Sequence, residues 1–105
     1  MKLITKEILK KLTKNFEAES STDLPLKLFN ASGAQTWLIN SIEPDGDTMW
    51  GLADLGFGFV EFGAISLKEL TDIRKLGFKF MLERDKSWKN GKMSDYQSAT
   101  TLIGA

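Results

Sequence analysis

The sequence contains neither cysteine nor histidine among its 105 residues. Without cysteine there can be no disulfide, thiolate nucleophile or cysteine-ligated zinc. Without histidine, imidazole bases, Ser–His dyads and the usual zinc sites are also excluded. A Walker-type phosphate loop and a strand–glycine–helix dinucleotide loop are absent from the sequence as well. We therefore expect no cofactor, and we favour a non-enzymatic protein.

Long apolar runs are lacking too. The longest are far shorter than the roughly 18 residues that a membrane span needs, and no signal-peptide core follows the first residues. We expect a cytoplasmic protein without membrane contact, whose residues 1–105 form a single domain. Seven Phe, three Trp and a 42% hydrophobic fraction supply one packed core. The formal net charge of zero gives little protection against self-association, so the oligomeric state stays open.

Two amphipathic helices are predicted. Thr5 is the expected N-cap of the first, and four apolar side chains at helical spacing should face the core: Ile8, Leu9, Leu12 and Phe16. Ser66 and Glu69 form a Ser-x-x-Glu capping box that predicts the start of the second helix. Gly77 is expected to end it in a left-handed conformation.

Five segments have the composition of strands. Pro25 cannot donate a ladder hydrogen bond, so it should start the first strand or place it at an edge. Short turns between successive strands favour antiparallel pairing. The predicted strands are Leu24–Leu28, Thr36–Ile42, Thr48–Leu55, Phe59–Ile65 and Phe78–Arg84.

These elements predict an α+β fold in the order α-β-β-β-β-α-β. A mainly antiparallel five-stranded sheet would carry both helices on one face. The other face, or an edge strand, would then be open to partners. A short additional helix is predicted over Met93–Ala99.

Several sequence islands together resemble a known family. They include Thr36-Trp37-Leu38, Trp50-Gly51-Leu52-Ala53-Asp54-Leu55-Gly56, Glu61-Phe62-Gly63, Ile65-Ser66-Leu67-Lys68-Glu69-Leu70 and Glu83-Arg84-Asp85. In this order they resemble domain-of-unknown-function family 2958, over nearly the whole chain. The resemblance implies a bacterial accessory protein, often carried on plasmids, integrative elements or phages. It implies no catalytic residues.

Acidic residues dominate the middle of the chain. The stretch from Leu28 to Leu67 contains no Lys or Arg but five acids: Glu43, Asp45, Asp47, Asp54 and Glu61. Asp45-Gly46-Asp47 could bind a hard cation, although a plain turn is favoured because turns commonly use these residues.

Asp54 and Glu61 flank a glycine-rich turn and would be close together if they share a face of a hairpin. Two neighbouring carboxylates could carry out acid–base chemistry, as in glycoside hydrolysis. Held by Arg84, they would instead form a structural ion-pair cluster, which we favour.

Basic residues lie towards the two ends of the chain. The segment around Trp88 and Lys89, with the basic first helix, could clamp a nucleic-acid backbone and stack a base. Interspersed acids would oppose phosphate, so a solvated charged surface is favoured. Trp37 and Trp50 are expected in the core or as cross-strand partners.

The leading functional hypothesis is a non-enzymatic protein-interaction module of a mobile element, which binds a host or plasmid protein and is host-modulating or counter-defensive. The alternatives are a nucleic-acid-binding accessory domain and a carboxylate-based hydrolase. The candidate binding residues are Asp54, Glu61, Arg84, Trp88 and Lys89.

Overall fold

The computed structural model describes residues 2–77 and 80–105. These residues form an α+β fold with two α-helices, five strands and a 3₁₀ helix. The elements are α1 (Lys6–Ala18), β1 (Leu26–Asn30), β2 (Thr36–Ile42), β3 (Thr48–Asp54), β4 (Val60–Ser66), α2 (Leu67–Arg74), β5 (Leu82–Arg84) and the 3₁₀ helix (Met93–Asp95). The predicted order of helices and strands is confirmed.

Helix α1 begins as predicted. The Thr5 hydroxyl oxygen accepts a hydrogen bond from the Ile8 N–H at 3.2 Å and so satisfies one of the unpaired donors of the first turn. Leu12 is fully buried and Ile8 packs against the core. The prediction for Leu9 is wrong, because its side chain is 42% exposed. It lies between two lysines of the same exposed face, Lys6 and Lys10.

Helix α2 is capped from two directions. The Ser66 hydroxyl accepts the Glu69 N–H at 3.1 Å, as the capping box requires. The Asp47 carboxylate, from the turn between β2 and β3, accepts the Lys68 N–H at 2.7 Å and the Ser66 hydroxyl at 3.0 Å. This cap, formed by a residue distant in sequence, attaches the start of α2 to the start of β3.

The described strands form one antiparallel sheet in the order β4-β3-β2-β1-β5. Strands β1 to β4 follow one another as a meander, and β5 pairs with the free side of β1. Pro25 therefore precedes a strand that lies inside the sheet. β5 is shorter than predicted: the expected strand began at Phe78, which lies outside the described residues, and Phe80 and Met81 precede the observed strand.

Both helices pack on one face of the sheet, as predicted. The core on this face joins Leu12 of α1 and Leu70 of α2 to the inward side chains of the strands, among them Leu28, Trp37, Ile39 and Met49. This face is called the helix face below.

The opposite face is not open, and this part of the prediction is wrong. Leu24, Leu38 and Leu52 point away from the helices and are fully buried. They are covered by the C-terminal segment, residues 85–105, which packs Trp88, Met93, Tyr96, Leu102 and Ala105 against them. Instead of the helix predicted over Met93–Ala99, the structure has one 3₁₀ turn, because this segment follows the sheet surface. Of the two terminal strands in the described sheet, β4 has seven residues and β5 has three, so the end at β4 is the better candidate for contact with a partner.

Two paired glycines, Gly51 of β3 and Gly63 of β4, provide a test of how closely β2 and β3 approach each other. A methyl group on Gly51 would lie 2.3 Å from the Leu38 carbonyl oxygen, whereas one on Gly63, which is paired directly across from Gly51, meets nothing within 4 Å. We expect Gly51→Ala to lower the free energy of unfolding by about 1–3 kcal/mol through overpacking. Gly63→Ala should leave it unchanged or raise it. Urea denaturation of both variants measures the difference, and equal stabilities would contradict the close approach of β2 and β3.

Candidate interaction surface

The Asp54 side chain lies at the end of β3 and is only 1% exposed. One carboxylate oxygen accepts the Gly56 N–H at 2.9 Å and so shapes the turn that follows β3. The other oxygen accepts the Leu102 N–H at 2.8 Å and the Thr101 hydroxyl at 3.0 Å. Asp54 therefore anchors the C-terminal segment to the sheet.

Burial disfavours the charged form of Asp54, but the hydrogen bonds outweigh this effect. Donors from Leu102, Gly56 and Thr101 hold the pKa of the carboxyl below its usual value of 3.8. A carboxyl of this kind is ionised at neutral pH and has its oxygens occupied by protein donors. It is suited to holding the structure together and poorly suited to acting as a general acid.

Glu61 and Arg84 do not join Asp54. In the β3–β4 pairing Asp54 faces Val60 while Glu61 faces Ala53, so the two carboxylates point to opposite sides of the sheet. Arg84 belongs to β5, three strands away from β3, which is roughly 14 Å at the usual strand spacing. Its guanidinium donates to the Lys2 and Leu3 carbonyl oxygens. The predicted three-residue cluster is therefore wrong, as is the shared face on which the hydrolase hypothesis rested.

Trp88 and Lys89 have different environments although they are neighbours. The Trp88 indole N–H donates to the Leu24 carbonyl at 2.8 Å, and its ring packs against Tyr96 at 5.8 Å. Trp88 therefore packs against the buried side chains on the sheet face opposite the helices. It is not an open stacking platform. Lys89 is exposed and borders a cavity of about 280 Å³ that is also lined by Lys11 and Lys14 of α1.

The acidic turn between β2 and β3 is organised by its own carboxylates. Asp45 accepts hydrogen bonds from the Asp47 N–H, the Thr48 N–H and the Thr48 hydroxyl, and these bonds lower the pKa of its carboxyl. Asp47 caps α2, as described above. The favoured interpretation of this motif as a turn is confirmed. Within residues 2–77 and 80–105, no group of three acidic side chains is arranged to hold a metal ion.

The β3–β4 hairpin exposes an unusual amount of apolar surface. Half of the large apolar side chains that are exposed in the described residues fall within residues 55–62: Leu55, Phe57, Phe59 and Phe62. Phe57 is 73% exposed and stacks on Phe59 at 6.4 Å between ring centroids. Gly56 and Gly58 adopt φ of +90° and +89°, which lets the loop present Phe57 outward. Because contiguous exposed apolar patches are a feature of interaction sites, this hairpin is the candidate surface.

Strand β4 adds main-chain groups to the same region. It is a terminal strand of the sheet that the described residues form, so its outer side presents backbone donors and acceptors. Glu61 and Phe62 are exposed on its two faces. We call residues 55–66, which comprise the hairpin loop and β4, the hairpin surface. Glu61 of this surface is among the candidates predicted from the sequence, whereas the phenylalanines are not, although Phe57 between two glycines is a detectable signal.

Between α2 and β4 lies a cavity of about 370 Å³ on the helix face. Its lining is mostly apolar, with Leu55, Ile65 and Ile73 among its members, and it carries the carboxylates Glu61 and Glu69. The described residues that line it include no Lys or Arg. The hairpin surface is therefore apolar at its tip and carries one carboxylate, Glu61, beside the cavity that Glu69 of α2 also lines.

The described residues thus form an α+β domain whose second sheet face is covered and whose β3–β4 hairpin is exposed at one end of the sheet. The chain itself belongs to the family described as "Protein of unknown function (DUF2958)", whose model matches residues 3–105. Comparisons with curated proteins and with solved structures return no significant match. No helix among the described residues is both long and apolar enough to cross a membrane.

The Asp54 anchor predicts a specific defect in the Asp54→Asn variant. An amide nitrogen would replace one acceptor oxygen, leaving a buried N–H without its partner at a cost of about 1–3 kcal/mol. We expect the C-terminal segment to detach before the sheet unfolds. Trypsin should then cleave after Lys86, Lys89 and Lys92 faster than in the wild type.

Asp95→Asn is the matched control, because Asp95 is an exposed carboxylate in the same segment. Equal cleavage rates for wild type and Asp54→Asn would contradict the anchoring role.

The lowered pKa of Asp54 also means that its contribution to stability is present in full above pH 3.8 and is lost as the pH falls further. Hydrogen-exchange protection of the Leu102 N–H should therefore decrease in acid.

Proposed function

We propose that this chain is a non-enzymatic protein-interaction module that binds a host or plasmid protein through the hairpin surface. In this proposal it serves a bacterial mobile element as a cytoplasmic accessory protein that modulates its host or counters a defence system. The mobile-element part rests on the family resemblance. The mode of action rests on the surface itself.

The observation that carries the proposal is the exposed Phe57–Phe59 stack at the tip of a terminal hairpin. Burying one phenylalanine side chain is worth about 1.5–3 kcal/mol. Aromatic anchors surrounded by weaker contacts supply most of the binding energy in protein interfaces. Leaving such groups in water disfavours solubility, so a partner that covers them explains their position.

The backbone of β4 offers a second source of affinity. An extended segment of a partner can pair with a terminal strand and gain a row of main-chain hydrogen bonds. The neighbouring Phe62 and Glu61 would then contact alternate side chains of that segment, one on each face. The hairpin surface therefore combines a nonspecific main-chain contact with side chains that select the sequence of the partner.

The carboxylate-based hydrolase gains no support from the geometry. Asp54 is engaged by three donors, and Glu61 lies on the other side of the sheet. Acid–base hydrolysis of a glycosidic bond needs two carboxyl groups that flank the same bond. These two residues cannot provide that arrangement.

The protein-interaction proposal can be tested without knowledge of the natural partner. A phage-displayed library of random twelve-residue peptides would be selected against the wild-type chain, and the selected peptides would be measured by fluorescence polarisation. We expect the double variant Phe57→Ser/Phe59→Ser to bind them at least about tenfold more weakly, a loss of about 1.4 kcal/mol. Phe57 is largely exposed, so its replacement should change stability little.

Leu9→Ser is the matched control. Leu9 is also an exposed apolar side chain, 42% accessible, but it lies on α1. The control should bind the selected peptides like the wild type. Failure to enrich any peptide, or equal binding by the double variant, would contradict the proposal.

Nucleic-acid binding is the second candidate, and one observation favours it. Lys11, Lys14 and Lys89 line the same cavity, so the basic helix and the Trp88 segment do meet. Asp23 lines this cavity too and pairs with Lys92, which reduces its positive charge.

A labelled single-stranded oligonucleotide at low salt separates the two proposals. We expect no mobility shift. A shift that weakens steeply with added salt, and that disappears in Lys11→Ala/Lys14→Ala/Lys89→Ala, would instead favour nucleic-acid binding. Lys68→Ala, a lysine on α2, serves as the control.

A further inference from the structure

An aromatic groove of about 290 Å³ lies between the end of α1 and the side chains of β3 and β4. Its floor is formed by Trp50 of β3 and Phe62 of β4, whose rings stack at 6.0 Å between centroids with 23° between their planes. Phe62 is 52% exposed and belongs also to the hairpin surface. The remaining lining residues are Asn15, Phe16, Glu19, Ser21, Asn40, Ser41 and Met93.

The charge around this groove is negative. The Trp50 indole N–H donates to a carboxylate oxygen of Glu43 at 2.8 Å, which puts a negative charge at the edge of the ring. Glu19 lines the groove from the end of α1. The lining residues given above include no Lys or Arg. A π surface and two carboxylates together favour a cation over a neutral or anionic group.

The end of α1 that carries Glu19 is held in place by amide side chains. The Asn15 amide donates to the Asn40 carbonyl at 2.9 Å. The buried Asn40 amide donates to the Ser21 and Asp23 carbonyls at 3.1 and 2.6 Å. Because Asn40 belongs to β2, these bonds attach the chain after α1 directly to the sheet. Asn40 lies at a register shift of the β2–β3 pairing.

Glu19 itself adopts an unfavourable backbone conformation. Its φ of +57° is the single positive value among the described residues other than glycine. A glycine or asparagine is the usual residue at such a helix end. The carboxylate is therefore placed at the groove at the expense of local stability.

We propose that the aromatic groove binds an arginine side chain of the partner protein. This inference rests on the proposed protein-binding function and deepens it. A planar guanidinium can stack on Trp50 while it forms hydrogen bonds to the Glu19 carboxylate, whereas a lysine ammonium cannot do both as well. A partner strand paired with β4 lies next to Phe62, so a long side chain on it reaches across that ring to Trp50.

The first test uses a small probe and no partner. Nα-acetyl-arginine amide is titrated at millimolar concentration into ¹⁵N-labelled protein, and the indole N–H resonances are followed. We expect the Trp50 resonance to shift, while those of Trp37 and Trp88 serve as internal controls. Nα-acetyl-citrulline amide, the neutral isostere, should cause no shift, and Glu19→Gln should abolish the effect of the arginine probe.

The second test uses the peptides selected on the hairpin surface. We expect them to contain an arginine whose replacement by citrulline weakens binding at least about tenfold to the wild type but little to Glu19→Gln. Glu19→Gly should lose the same selectivity while its unfolding midpoint rises, since glycine relieves the positive φ. That pairing separates a role in recognition from a role in folding.

Each outcome is decisive. Peptides that bind the hairpin surface equally with arginine or citrulline would overturn the inference and leave the proposed function intact. A Trp50 shift without any enriched peptide would support the groove and count against the proposed function. No Trp50 shift together with no arginine preference would overturn the inference. Self-association that Glu19→Gln abolishes would show that a second copy of this chain supplies the cation, and it would overturn the partner assignment.

Discussion

The buried carboxylate of Asp54 connects three parts of the molecule that are distant in sequence. It ends β3, orders the turn after it and receives two hydrogen bonds from residues close to the C-terminus. A charge this deeply buried is tolerated only when donors satisfy it. Because the C-terminal segment is held in this way, the second face of the sheet is covered. The exposed apolar hairpin lies at the end of the sheet, at β4.

The order of the strands also separates charge. β3 and β4 come from the stretch of chain without Lys or Arg, and the sheet order places them at the end opposite β5. On the sheet face opposite the helices, Lys27 of β1 is enclosed by the C-terminal segment. Its ammonium group pairs with the Asp85 carboxylate at 3.3 Å and donates to the Ala105 carbonyl oxygen at 2.9 Å. Strands β3 and β4 therefore carry acidic side chains, Asp54 and Glu61, but no basic ones. In the proposed interaction, this asymmetry would favour a basic partner.

Local signals in the sequence were sufficient for most of the elements. β2 has the predicted bounds, and the Thr5 and Ser66 caps are where propensity places them, because capping and alternation depend on neighbours in the chain. Which side chains meet was less accessible. The hairpin pairs Asp54 with Val60, so one residue of loop length decides whether Glu61 shares its face. A sequence does not specify that register.

The burial of the second sheet face has a signal in the sequence of β2. Trp37, Leu38 and Ile39 are three consecutive apolar residues in β2, and all seven positions of that strand are buried. A strand with one solvated face alternates, whereas a continuous apolar run is typical of burial on both faces. What no local rule could provide is the identity of the cover, because Leu102 is brought to Leu38 and Leu52 by tertiary contacts alone.

Positions at which a protein departs from local stability rules tend to be functional. Three departures occur here: Phe57 is exposed, Trp50 is only half-buried, and Glu19 has a positive φ. Glu19 is distant in sequence from the other two, yet Phe62 links all three, since it belongs to the hairpin surface and stacks on Trp50 in the groove that Glu19 lines. The proposed binding region, which combines an aromatic tip, a terminal strand and a groove for a cation, would account for all three.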